Sequence, residues 1–276
     1  MLRGSGLSSS AAFEILIAAI LDGLYNGWVV DFKTRAVIAQ KVENVYFGKP
    51  CGLMDQTASS VGNIIGIDFA DPTAPVVPPI PFDFAACGHS LCIIDSGASH
   101  ADLTDEYAAI TTELKAVCRV FGKEYLRDVP EAEFYGNIAE VRKAAGDRAV
   151  LRAIHIFEEN KRVEQQTTAL LAGDFEAFLK LVTQSGISSW MYLQNVIPSG
   201  RKENQEVAYA LAEAQQLLCG RGACRVHGGG FAGTIQAFVP NDMVEAFCAG
   251  MENALGAGSC HMMSIRPEGG ILLEEC

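Results

Sequence analysis

The sequence predicts an α+β protein of two lobes, and three observations carry that prediction. Apolar residues recur at helical spacing through several long segments. Short apolar runs of strand character cluster apart from them, without the regular strand–helix alternation of a βαβ protein. A connection holding Pro72, Pro75, Pro78, Pro79 and Pro81 separates two such regions and is too proline-dense for a helix or a central strand. At 276 residues the chain is long enough to bury a sizeable core in each lobe.

The first helix is the best marked. Phe13, Leu16, Ile17, Ile20, Leu21 and Leu24 form one apolar stripe, read as the face of a buried helix. Ser8 to Ser10 stand at its N-cap and Asn26-Gly27 closes it. A second helix is expected over 32–47, ending at Gly48-Lys49-Pro50, and a short third over 54–60. Residues 63–69 read as a strand leading into the proline-rich connection. Residues 91–95 read as another strand, closed by Ser96-Gly97-Ala98. Helices follow at 104–121, 149–172, 175–184 and 204–219; strands at 223–226, 234–239 and 261–267; and a helix at 242–255. The lobes are expected at 1–97 and 98–276.

Composition excludes several classes. A formal net charge of −12 argues against a sequence-independent nucleic-acid surface, because neutralising phosphates takes Lys and Arg. The apolar run at 13–21 is too short to span a bilayer and carries Glu14; no small-residue cleavage site follows it. Nine cysteines without a Cys-x-x-Cys pair or a zinc-ligand spacing read as reduced core residues of a cytoplasmic protein. No membrane, nucleic acid or obligate protein partner is expected.

Three stretches carry chemistry. Gly4-Ser5-Gly6-Leu7-Ser8-Ser9-Ser10 runs straight into the first helix, where glycines permit close backbone approach and the helix N-terminus favours phosphate. It matches neither the Walker pattern nor the dinucleotide fingerprint, and its spacing alone is equally that of a capped helix start. Glu43 and Asp55 flank Cys51-Gly52-Leu53-Met54. Two carboxylates can divide phosphoryl transfer, one holding Mg2+ and one near the attacking hydroxyl, although each alone reads as a surface acid. His227-Gly228-Gly229-Gly230-Phe231-Ala232-Gly233 lies between apolar strands, as a tight turn or a ligand-approach loop. His227, Arg225, Trp28 and Trp190 read as packing residues.

In this order, Gly-Leu-Ser-Ser-Ser-Ala-Ala, Cys-Gly-Leu-Met-Asp-Gln and Gly-Gly-Gly-Phe-Ala-Gly resemble the signatures of the GHMP kinases, galactokinases in particular. The stretch from Arg152-Ala153-Ile154-His155 to Glu159-Asn160-Lys161-Arg162 adds to the likeness. The resemblance implies a two-lobed sugar kinase that uses ATP and Mg2+ to phosphorylate galactose at its C1 hydroxyl. It implies Asp55 as the catalytic carboxylate, Gly4 to Ser10 around the ATP phosphates, and Glu43 with Ser10 on Mg2+. Cys51, Gly52, Tyr107, Gly229 and Gly230 fall on the sugar side. A kinase for a related sugar such as N-acetylgalactosamine, and a non-catalytic sugar and ATP sensor, are the alternatives. The family's opening stretch, roughly Gly-Arg-x-Asn-x-x-Gly-Glu-His-x-Asp-Tyr, has no match here. The resemblance therefore implies an incomplete amino-terminal lobe, a weak or absent activity in the chain as written, and a tendency to associate.

Overall fold

A computed structural model describes residues 8–48, 51–71, 74–99 and 103–272. The chain divides into two compact units, Met1–Phe84 with Ser264–Cys276, and Ala85–Met263. The first break thus falls before 97, where the sequence placed it, and the last residues return to the first unit. The reason is strand pairing: the strand at His89–Ala98 is laddered on both sides by strands of the second unit.

In the first unit α1 (Ser9–Tyr25), α2 (Phe32–Lys41) and α3 (Met54–Val61) pack on one another. α2 starts on Asp31, whose carboxylate accepts from the Lys33 and Thr34 amides at 2.9 and 3.1 Å, and runs into a π turn at Val42–Tyr46. The core is small: Ile15, Ala36, Ala39 and Leu53. The stripe expected to be buried on α1 is the exposed one, with Phe13 58% and Leu24 71% accessible. Ala11, Ile15, Ala19 and Asp22 face inward instead. Two small alanines let α1 approach its neighbours closely, and buried Asp22 gains an ion pair with Arg35 at 3.0 Å. That exposed stripe is apolar surface of the kind that drives association.

The strand expected at 63–69 is reduced to two isolated bridges, Ile65 with Pro79 and Asp68 with Val76. Prolines opposite it lack the N–H that a continuous ladder needs. The returning segment is seated tightly, the Asn63 amide donating to the Arg266 carbonyl at 2.8 Å and Arg35 Nη1 to the Gly270 carbonyl at 2.6 Å. Gly62, at φ +77°, is required here, since a Cβ would run into the backbone of Glu268 and Gly269.

The second unit holds an antiparallel sheet of β1 (His89–Ala98), β2 (Ala223–Val226), β3 (Gly233–Pro240) and β4 (Cys260–Met263), ordered β2-β3-β1-β4. The expected 261–267 strand ends at Met263, where the chain leaves for the first unit. Its helices are α4 (Thr104–Val120), α5 (Glu131–Gly136), α6 (Ile138–Ala145), α7 (Asp147–Leu171), α8 (Phe175–Ser188), α9 (Glu206–Leu218) and α10 (Val244–Leu255). Ile235, Ala237 and Val239 alternate along β3 toward one sheet face, which α9 and α10 cover with Leu211, Phe247 and Met251. A second core of Val117, Phe134, Val141, Ala153 and Phe157 fills the space among the helices. Among the described residues no helix is long and apolar enough to cross a membrane.

Arg152, His155, Glu159 and Arg162 fall at spacings of three, four and three on α7, so they share one face. That face is a polar seam within the unit. Arg152 donates to the Leu193 carbonyl at 3.1 Å and to Glu113 at 2.9 Å, and His155 Nδ1 lies 2.9 Å from Ser188 Oγ. Glu159 receives Arg162, Ser185 and Arg225. Arg225 also donates to Ser185 at 2.6 Å, the packing role read from sequence. Burial holds the His155 imidazole down at about 4, well below its usual range. The unfolded chain therefore binds a proton that the folded one refuses as pH falls from about 6.5 toward 4. Folding stability contributed by neutral His155 is full above that window and lost through it. We expect the unfolding midpoint to drop more steeply between pH 6.5 and 4 than it does in His155→Gln, as measured by urea titrations at each pH. Parallel curves would refute this.

Candidate functional site

Ser8 takes a left-handed conformation, φ 51°, at the head of α1. Its hydroxyl does not cap its own helix, as the sequence led us to expect. It donates instead to Asp55 Oδ2 at 2.6 Å, joining residues 47 apart in sequence. Asp55 is half-buried in the first turn of α3, where the helix dipole favours an anion. The N-terminus of α1 thus keeps its leading amides without a side-chain cap and with no acidic residue in its first turn. Ser9 and Ser10 are exposed there.

Beside this lies a groove of about 590 Å³ between α1 and the α2–π-turn segment, with Ser10 and Glu43 both in its lining. Glu43 is buried, at 4% exposure, and sits in the π turn, a distortion that recurs at functional sites. The carboxylate and hydroxyl are hard oxygen donors suited to Mg2+. Apolar Phe13, Ile17, Leu21 and Ile38 complete most of the lining, so the two oxygens stand against a largely apolar wall.

Cys51 is held by polar contacts on both sides of its backbone. Its amide donates to Asn44 Oδ1 at 2.7 Å, while Gln40 Nε2 and Asn44 Nδ2 donate to its carbonyl at 3.2 and 3.3 Å. Gln56 Nε2 donates to its sulfur at 3.4 Å. Burial raises the Cys51 thiol above its ordinary value, and hydrogen bonding with Glu43 adds to the rise. Gly52 is exposed, and a Cβ there would meet open space.

In the second unit Tyr107 meets the glycine loop. Its hydroxyl donates to the Gly230 carbonyl at 2.8 Å and its ring meets Phe231 edge-on, centroids 5.4 Å apart. Burial raises the Tyr107 phenol. Asn195 holds the loop from the other side, its Nδ2 donating to the Gly229 carbonyl at 3.1 Å and its own carbonyl accepting from the Phe231 amide at 2.5 Å. The His227 ring lies 3.1 Å from Thr234 Oγ1 across the base of the loop, a structural partnership.

Gly230 is at φ +79°, and a Cβ would overlap the Asn195 carbonyl oxygen. We expect Gly230→Ala to destabilise the protein by roughly 1–3 kcal/mol, from a left-handed backbone and a displaced loop. Denaturant unfolding measures this; a change under about 0.5 kcal/mol would mean that the loop relaxes freely.

The sequence-derived residues therefore assemble in two places. Ser8 joins Asp55, while Ser10 and Glu43 share a groove, with Cys51 against Glu43, all in the first unit. Tyr107, Gly229 and Gly230 meet in the second. Gly4, Ser5, Gly6 and Leu7 lie outside the described residues, as do Lys49, Pro50 and Pro72. Sequence reasoning missed Gln40, Asn44 and Asn195. Gln40 and Asn44 were findable as an i, i+4 pair on one helical face. Asn195 carries no local signal for its loop contacts, since Gly229 and Phe231 lie 34 and 36 residues away.

The pattern of the GHMP kinases N terminal domain matches residues 1–63. The chain is 35% identical over 244 residues to a galactokinase of Actinobacillus pleuropneumoniae serotype 3, covering 87% of this chain and 60% of that protein. It is 31% identical over 263 residues to a galactokinase of Streptomyces coelicolor, covering 92% and 62%. The crystal structure of Lactococcus lactis galactokinase complexed with galactose superposes with a TM-score of 0.76 at 26% identity, over 98% of this chain and 68% of that one. The chain thus spans about 60% of the length of the first of these relatives.

Proposed function

From the premise that this chain belongs to the GHMP kinase family, we propose that the protein phosphorylates galactose at its C1 hydroxyl with ATP, releasing ADP. The observation that carries the reading is the 2.6 Å hydrogen bond from Ser8 to Asp55, which ties the end of the glycine–serine loop to the candidate catalytic carboxylate.

Asp55 accepts the proton of the sugar hydroxyl, or orients it, while the sugar oxygen forms its bond to the γ-phosphorus and the bond to ADP breaks. Ser8 keeps Asp55 Oδ2 in one orientation, leaving Oδ1 to face the sugar. The uncapped amides of α1 bind phosphate oxygens, with Ser9 and Ser10 beside them. Glu43 and Ser10 are the residues that would hold Mg2+, which would supply positive charge beside the phosphates. Cys51 and Gly52 contribute sugar contacts from the first unit; the assignment of Tyr107, Gly229 and Gly230 to the sugar rests on the family resemblance of their own stretches. Gln40 and Asn44 position Cys51 by fixing its backbone. The protein works as a soluble enzyme on a small sugar and MgATP.

The test is ADP release with MgATP and galactose, with phosphorus NMR of the product to locate the new ester. Galactose is expected to exceed N-acetylgalactosamine and arabinose as acceptor, and MgATP alone is expected to raise the thermal midpoint. A chain that neither releases ADP with galactose nor responds to MgATP would overturn the reading. Phosphate found at another hydroxyl would overturn the C1 assignment.

A further inference from the structure

Three cysteines far apart in sequence converge in the second unit. Cys92 lies on β1, Cys260 on β4 and Cys248 on α10, and their sulfurs all lie within 4.8 Å of one another. The strand register explains two of them. Cys92 opposes Met262 and Ile94 opposes Cys260, so Cys92 and Cys260 are diagonal neighbours on one sheet face. α10 packs over β1 and β4 and brings Cys248 to within 3.3 Å of the Cys260 sulfur. Cys92 is fully buried, whereas Cys248 and Cys260 are partly exposed, so the cluster is rooted in the core and reachable from outside.

We propose that Cys92, Cys248 and Cys260 form a binding site for a thiophilic divalent cation of the Zn2+ or Cd2+ type, with solvent as fourth ligand. Metal–sulfur bonds of about 2.3 Å in tetrahedral geometry place sulfurs about 3.8 Å apart, so modest side-chain shifts bring this cluster to ligating distance. Sulfur selects soft and borderline cations over Mg2+. Ion charge decides further: three thiolates around a divalent ion leave one negative charge in a largely apolar setting, and around a monovalent ion they leave two. Binding converts three thiols to thiolates and releases three protons to solvent. Each ligand comes from a regular element rather than a loop, so the sulfurs are held without a folding cost at the moment of binding. This site rests on residues separate from those assigned to phosphoryl transfer.

The test is titration of the reduced, oxygen-free chain with Cd2+, followed by its ultraviolet sulfur-to-metal charge-transfer band. One equivalent is expected to saturate the band, excess Zn2+ to compete with it, and Cys248→Ser to weaken binding at least tenfold. Cys219→Ser, which removes an exposed thiol outside the cluster, is expected to change nothing. A missing band, or one unchanged in Cys248→Ser, overturns the proposal. Should a cluster variant misfold, alkylation of the unsubstituted chain decides. Bound Zn2+ is expected to slow modification of Cys248 and Cys260 at least tenfold and to spare Cys219, and uniform or absent protection overturns the site.

Discussion

Replacing Asp55 with asparagine is expected to lower the rate of phosphoryl transfer to galactose by about 10³-fold, within the range ascribed to a positioned general base. The substitution keeps the shape of the side chain and an acceptor for the Ser8 hydroxyl, but removes the charge that draws the sugar proton. Single-turnover measurement, with protein in excess over labelled ATP, registers even slow transfer and reports this step directly. The MgATP-dependent rise in thermal midpoint should survive, because Glu43, Ser10 and the head of α1 are unchanged. Ser8→Ala should act in the same direction and more weakly, about tenfold, since it frees the carboxylate without neutralising it. A transfer rate in Asp55→Asn within tenfold of the unsubstituted chain would remove Asp55 from the chemistry.

The second large effect is expected on stability. Arg152 is 1% exposed, and its Nη1 meets Glu113 Oε2 at 2.9 Å. The other oxygen of Glu113 accepts from Arg148 at 2.5 Å. Removing a single partner of a buried pair strands the remaining charge, which costs about 3–5 kcal/mol. Glu113 keeps 20% exposure of its side chain, which lets water soften the loss, so Glu113→Ala should cost about 3 kcal/mol, the lower end of that range. Replacing both partners with apolar residues, Arg152→Met with Glu113→Leu, should recover much of it, because no charge is then left in the core. Urea unfolding of the three proteins decides. A loss under about 1 kcal/mol in Glu113→Ala would mean that water or Arg148 compensates.

The regular elements were legible wherever a local pattern had one physical meaning. The strand at Ala223–Val226 was read to the residue, and α3, α7 and α9 within about three residues of their ends. The strand at 63–69 was not, because its apolar content satisfied the local rule while its partner segment, rich in proline, could not supply the hydrogen bonds. Periodicity likewise found α1 but chose the wrong face. An apolar stripe states which residues would gain from burial, whereas the faces of α2 and α3 determine which ones achieve it, and they accept Ala11, Ile15 and Ala19.

The candidate site divides along the same line. Glycines and serines before a helix, two carboxylates flanking Cys-Gly-Leu-Met, and a glycine run between strands are short-range statements about chemistry, and composition with spacing suffices to pick them out. Pairings among them are long-range. That Ser8 serves Asp55 rather than its own helix, that Tyr107 closes on Gly230 across 123 residues, and that three scattered cysteines form one cluster depend on where whole elements dock. Local sequence encodes which groups are present and which backbone shapes they allow. Packing sets the distances between them, and hydrogen bonding, ion pairing and metal ligation are decided within tenths of an ångström by those distances.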